Sequence, residues 1–302
     1  MKNRFNTKTI VMASIILFGS FTIFTACNKS DDETFDDFNL KSLEVALDQS
    51  FATELFDEVV EIGDEMMDFN FGSELKSAEM NGHGHRYMRM GECAVVTRVF
   101  TNESTTTTVD FGEEGCTGQD GRLRQGKIIM VKNGNYFEGE STMTYTFENY
   151  YVNGNQLTGT KTVTGYINAE GNRQMDMVDN GTVILADGAG TITRTAQRTR
   201  EVIEGSDTRS KQDDVIKVTG SAAGVCATGE TFTSEITSPL IRDNREACSR
   251  FYVQGIVEIV KGDGTEITIN YGDGTCDNLA EITTNGETEI VELQGHRRKF
   301  HL

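Results

Sequence analysis

The chain has 302 residues, 47 acidic against 28 basic, and a formal charge of −19. A field of that sign keeps a protein soluble and repels phosphate backbones and anionic lipid, so nucleic-acid binding is set aside. The length suits one large domain or two small ones with a real core, and the absence of tryptophan speaks against a sugar-stacking platform.

Met1 to Lys8 is short and basic, Thr9 to Ala26 is almost wholly apolar, and Phe24-Thr25-Ala26-Cys27 closes the run like a lipoprotein cleavage box. About 18 apolar residues just reach across a bilayer, so an ordinary signal peptide or a spanning anchor are the alternatives. The run ends in small residues, however, and its flank is acidic rather than basic, opposite to a stop-transfer segment. The expectation is that residues 1–26 are removed and Cys27 is lipidated, anchoring the chain to a membrane. Lys29, Ser30, Asp31, Asp32 and Glu33 follow at once. They resemble the acidic export signal that sends lipoproteins of the Bacteroidota to the outer cell surface. The resemblance implies a lipid anchor in the outer membrane with surface exposure, the periplasmic face being the alternative. Cleavage removes Lys2, Arg4 and Lys8, leaving 25 basic against 47 acidic residues and a formal charge of −22.

Residues 27–37 read as an acidic tether. From 38 to 68 apolar residues recur at Leu40, Leu43, Leu47, Phe51, Leu55, Val59, Ile62 and Met66, and these steps of three or four put one stripe on a helix. Acids fill its other side, which predicts a helix covering a sheet, with the acids in water. Residues 69–92 form a connector containing His83-Gly84-His85, read as a flexible segment in preference to a metal site.

Residues 93–295 read as one β domain, with 296–302 as a tail. Thr, Val, Ile, Tyr and Phe dominate, punctuated by Asn133-Gly134, Asn153-Gly154, Asp187-Gly188, Asp263-Gly264 and Asn285-Gly286, with a further turn at Glu170-Gly171-Asn172. In the middle, turns fall 20, 17 and 17 residues apart, predicting strands of about 14 residues, or roughly 45 Å. Gly139, Gly159, Gly165 and Gly181 fall inside strands, where they permit bends. Phe137, Met143, Tyr145, Phe147 and Tyr151 are expected on one face, with Thr142, Thr144 and Thr146 on the other. The fold expected is mainly β: a large antiparallel meander of long curved strands, an open barrel or sandwich-like, covered by one N-terminal amphipathic helix.

One segment recurs. Thr107 to Cys116 aligns with Ile267 to Cys276, and each copy has an upstream cysteine, Cys93 and Cys248, ahead of a predicted strand. Each chain segment runs out, turns and returns, which brings its two thiols together across a hairpin. Cys93 is therefore paired with Cys116 and Cys248 with Cys276, which suits an oxidising compartment. Cys226 is left as a buried free thiol, no histidine being in sequence reach to activate it. The stretches Gly115 to Arg122 and Asn270 to Asn278 resemble a family of Bacteroidota lipoproteins with no assigned activity. Over most of residues 93–293 that resemblance implies an exported, disulfide-linked β domain and supplies no catalytic residue.

The four histidines are His83, His85, His296 and His301, all outside the β body, so histidine-activated serine or cysteine chemistry is disfavoured. No catalytic residue is assigned. No cofactor is expected, calcium at the acidic turns Gly112-Glu113-Glu114 and Gly272-Asp273-Gly274 being the exception left open; polar hairpin tips are the preferred reading of both. Three functions follow. The first is a noncatalytic surface platform that binds or scaffolds envelope proteins. The second is a carrier for an apolar ligand held between sheet and helix. The third is a carboxylate-dependent glycoside hydrolase, whose two acids would have to meet in space.

Overall fold

The computed structural model describes residues 32–67, 74–76, 90–134, 139–208, 210–245 and 251–293, with side chains from 41 to 66 and from 90 onward. The chain is mainly β: one helix and a single antiparallel meander whose sheet does not close. The helix α1 (Asp32–Met67) is 36 residues long, about 54 Å at 1.5 Å per residue. It begins five residues after Cys27, so acids expected in a tether lie in its first turns, where the helix dipole favours negative charge.

A short strand β1 (Glu74–Lys76) edges the sheet beside β2 (Val95–Phe100), which pairs with β3 (Ser104–Asp110). After the two-residue β4 (Cys116–Thr117) come the long strands β5 (Leu123–Gly134), β6 (Ser141–Val152), β7 (Asn155–Ile167), β8 (Arg173–Ile184), β9 (Thr191–Glu204), β10 (Val215–Val225) and β11 (Thr231–Asp243). The run ends with β12 (Gln254–Lys261), β13 (Glu266–Asp273), β14 (Leu279–Thr284) and β15 (Glu287–Glu292). Apart from β4, which pairs only with β5, each strand hydrogen-bonds to its neighbours in chain order. The long strands span 11 to 14 residues, as the turn spacing predicts.

Turn chemistry explains the connections. Asn153-Gly154 and Asn285-Gly286 each have φ of 50° and 81°, the left-handed pair a type I′ turn requires. At Asp263-Gly264 only the glycine is left-handed, so that hairpin closes differently. One strand reading needs correction. Tyr150, not Tyr151, is fully buried, because Asn149 (φ 45°) bulges β6 and shifts its pairing with β7 between Thr146 and Tyr150. On β5 the opposing Gly126 is bulged too, and a Cβ there would stand 1.9 Å from the Asn149 carbonyl oxygen. Strict alternation from Phe147 fails because one extra residue reverses the phase.

The helix is enclosed rather than laid on one face. Phe51, Leu55, Phe56, Val59, Val60, Ile62 and Met66 pack with inward residues of β2 to β9. Leu43, Val45 and Ala46 pack with those of β10 to β15. Thus the predicted stripe is buried at Leu43, Phe51, Leu55, Val59, Ile62 and Met66 and half-buried at Leu47, but much of the rest of the helix is buried too, including Asp48 and Glu58. The acids expected in water face the sheet instead. Close approach is permitted where side chains are missing: a Cβ on Gly181 would meet the Phe56 ring at 2.4 Å.

Gly63 tests this packing by the sign of its effect. In an exposed helix, Gly→Ala gains about 1 kcal/mol, but here the new methyl would lie 2.4 Å from the Tyr145 hydroxyl. Gly63→Ala is expected to destabilise by about 1–3 kcal/mol through overpacking. In urea titrations the double variant with Tyr145→Leu should lose less than the sum of the two singles; additivity would refute the contact.

Candidate functional site

Charge enters the interior through the alternation of the strands. On β9 Ile192, Arg194, Ala196 and Arg198 share the inward face, and on β8 so do Met177, Asp179, Gly181 and Val183. Lys161 on β7 sits directly opposite Asp179, and Asp179 directly opposite Ala196, with Arg194 and Arg198 two residues to either side. From the other direction α1 brings Glu54, Asp57, Glu58, Glu61 and Asp64, a stripe at helical spacing.

The centre is Asp57 and Asp179 among three cations. Arg198 donates Nη1 to Asp57 Oδ2 at 3.0 Å and Nη2 to Oδ1 at 2.5 Å, and the same Nη2 reaches Asp179 Oδ2 at 3.3 Å. The Lys161 ammonium lies 2.7 Å from Asp179 Oδ1 and 3.6 Å from Asp57 Oδ1. Arg194 donates Nη1 to Thr53 Oγ1 at 2.6 Å and holds Nε 3.4 Å from Asp179 Oδ2. The Tyr252 hydroxyl donates to Asp57 Oδ2 at 3.3 Å. Lys161 is 0% exposed and Arg194 2%, while the Asp57 side chain is 22% exposed.

Further pairs extend the seam along the helix. Arg124 donates Nε to Glu58 Oε1 at 2.7 Å and Nη2 to Asp120 Oδ2 at 2.6 Å, and Arg122 pairs with both Glu54 and Glu58. Arg242 pairs with Glu61, and Lys211 Nζ donates to the Asp64 carbonyl at 3.0 Å. At the helix end Arg98 Nη2 donates to the Met66 carbonyl at 2.7 Å, a cation where the dipole favours one.

These positions set the protonation states. Burial raises the carboxyls of Asp57 and Asp179, but for Asp57 the charges of Arg198, Lys161 and Arg194 outweigh it, and for Asp179 those of Lys161, Arg198 and Arg194 do. Both are held below the usual carboxylate range. Burial pushes Lys161 down against the pull of Asp179 and Asp57, and burial together with Arg198 pushes Arg194 down to about 10. A glycosidase acid needs the opposite, a carboxyl kept protonated near neutrality. Electrostatically this is a clamp, not an acid–base pair.

The sequence-predicted residues that the structure describes lie outside this cluster. Cys93 and Cys116 form the expected disulfide across the β2–β3 hairpin, with Cα atoms 5.6 Å apart. Cys276 is also disulfide-bonded, while its expected partner Cys248 lies outside the described residues. Cys226 is a buried thiol outside any disulfide, its Sγ 4.0 Å from the Val45 carbonyl oxygen. Cys27, Lys29, Ser30, Asp31 and all four histidines lie outside the described residues; Asp32 and Glu33 open α1. The repeat is structural: Asp110 Oδ1 accepts from the Gly112 N–H at 2.9 Å and Asn270 Oδ1 from that of Gly272 at 3.1 Å, the same side-chain turn at the end of β3 and in the last residues of β13. At the turns considered for calcium, Asp273 Oδ1 accepts from the Thr275 N–H and hydroxyl. Among the described residues no group of three or more His, Cys, Asp or Glu is placed to hold a metal ion.

Asp179→Asn removes the carboxylate shared by three buried cations, leaving Arg198 and Lys161 only Asp57, and is expected to cost roughly 3–5 kcal/mol in urea unfolding, whereas Lys161→Met with Asp179→Leu should cost less than that single change. The pH response has a definite sign. With folded pKa values below unfolded ones near 4, Asp57 and Asp179 add stability above pH about 4 and lose that contribution as pH falls through the folded values. Thermal melts should drop from about pH 4 downward, less steeply in Asp179→Asn; equal slopes would count against the clamp.

No family model, curated protein or solved structure matches the chain.

Proposed function

We propose that the protein is a noncatalytic, lipid-anchored envelope protein whose curled sheet serves as a platform for other envelope components. The observation that carries the reading is the set of cations around Asp57 and Asp179, which holds both carboxyls below the usual carboxylate range and disfavours a proton on either. The interior carboxylates and guanidinium groups are engaged with one another between helix and sheet. That contact is filled by helix side chains and ion pairs, an environment unsuited to an apolar ligand.

The outer face has a different chemistry. Registered rows such as Thr146, Thr160, Asn180 and Thr195, or Thr158, Thr182 and Thr193, run across β6 to β9 and carry hydroxyl and amide groups without charge. Such a surface offers neutral hydrogen bonding to a partner, in a chain whose carboxylates keep it apart from polyanions. Anchoring rests on Cys27 and surface delivery on Lys29 to Glu33, and α1 begins almost at the anchor.

An alkyne-bearing fatty acid fed to the native host should label the wild-type chain and not Cys27→Ala. Protease added to intact cells should digest the wild type, and replacing Lys29 to Glu33 with alanine should protect it until the outer membrane is broken. A wild-type chain without label, or resistant in intact cells, would overturn the anchored surface reading.

A further inference from the structure

The central cluster holds three cations, Lys161, Arg194 and Arg198, against two carboxylates, Asp57 and Asp179. One positive charge is left over among cations at most 5% exposed, with Asp57, at 22%, the member of the cluster that meets water. Nearby Arg242 is neutralised by Glu61, and Tyr252 is kept uncharged by burial, so neither removes the excess. The adjoining group of Arg122 and Arg124 with Glu54, Glu58 and Asp120 has the opposite balance, but Glu54 is 32% exposed and its charge is solvated there.

Hydrogen bonding leaves the same gap as the charge count. Arg194 Nη2 and Nε and Arg198 Nε are buried and make no hydrogen bond within the described residues. The Lys161 ammonium and Arg194 are ion-paired with Asp179, while Arg194 Nη2 is a buried donor without a hydrogen bond. Buried guanidinium donors are rarely left open, and a group of donors with excess positive charge favours an anion over a water molecule.

We propose that Arg194, together with Lys161 and Arg198, binds one small monovalent anion of halide type beside Asp179, between β7–β9 and the helix. The anion balances the cluster, accepts from the open Arg194 Nη2, and ties the sheet to α1 through Thr53, whose hydroxyl already accepts from Arg194 Nη1. Size is limited by the enclosure, since Lys161, Arg194 and Asp179 are all at least 98% buried. This site is independent of whether the chain is lipidated or displayed on the surface.

The test is unfolding of the purified wild-type protein in urea at fixed ionic strength, exchanging gluconate, too bulky to enter, for chloride or bromide. A saturable stabilisation is expected, with the unfolding constant falling about 100-fold when the anion stands at 100 times its Kd. Arg194→Met and Lys161→Met should each abolish the saturable part. If either variant fails to fold, wild-type crystals grown in bromide decide: an anomalous peak within hydrogen-bonding distance of Arg194 Nη2 supports the site. A wild type whose stability is indifferent to the exchange, or bromide crystals with only water beside Arg194, would overturn it.

Discussion

An acidic helix can lie inside a β trough only if the sheet turns cations inward, and the rest of this structure depends on that exchange. An unpaired carboxylate moved from water into a protein interior carries a penalty of several kcal/mol. Asp57 and Glu58 escape it because Arg198, Lys161, Arg124 and Arg122 meet them. Such pairs seldom add much net stability, since desolvation offsets most of the Coulombic gain. What they add is a unique seating. An apolar stripe alone would let a long helix slide or rotate along a curved sheet, whereas Asp57, Glu58 and Glu61 are each met by an arginine on a particular strand, Arg198 on β9, Arg124 on β5 and Arg242 on β11.

Apolar contacts supply the driving force and glycines the proximity. Phe56 presses against Gly181, and Gly63 against Tyr145, so large rings from each element fit where the other has no side chain. Phe147 bridges the two, edge-on to Phe56 at 6.4 Å and stacked on Tyr150 at 5.7 Å. The bulge at Asn149 is what makes that stack possible, because it turns Tyr150 rather than Tyr151 inward. Local irregularity in β6 thereby serves the packing of the helix.

The helix stripe, the long meander and the Cys93–Cys116 bond were legible in the sequence because each rests on local signals: a period of 3.6, Asn-Gly pairs, and thiols flanking one hairpin. The charged seam was not read, although its signal was present. Arg194 and Arg198 have the same parity as Ile192 and Ala196, and Asp179 the same as Met177 and Val183. A charged residue at an apolar parity is ordinarily taken as noise or as a register error. Only the coincidence of such residues on three successive strands with a stripe of acids on the helix makes them a set, and that coincidence is a property of the folded chain. The Asn149 bulge was hidden for a related reason: nothing in Phe147 to Tyr151 marks which residue is the extra one.

In the reading proposed above, of a scaffold, the ionisable interior and the outer face of the sheet have separate roles. In an active site, perturbed carboxylates are open to substrate and their environments push their pKa values apart. Here Asp57 and Asp179 are pushed the same way by shared cations, and Lys161, Arg194 and Asp179 are closed to solvent. The chemistry is directed inward, toward holding one element against another. Under the proposed reading, a chain fixed at Cys27 passes force or motion to its sheet through α1, which starts at Asp32 and meets both halves of the sheet. A helix held by hydrophobic contact alone would suffice for folding. One also locked by paired charges at Asp57, Glu58 and Glu61 keeps the sheet in a fixed orientation to α1, which under that reading is what a platform needs.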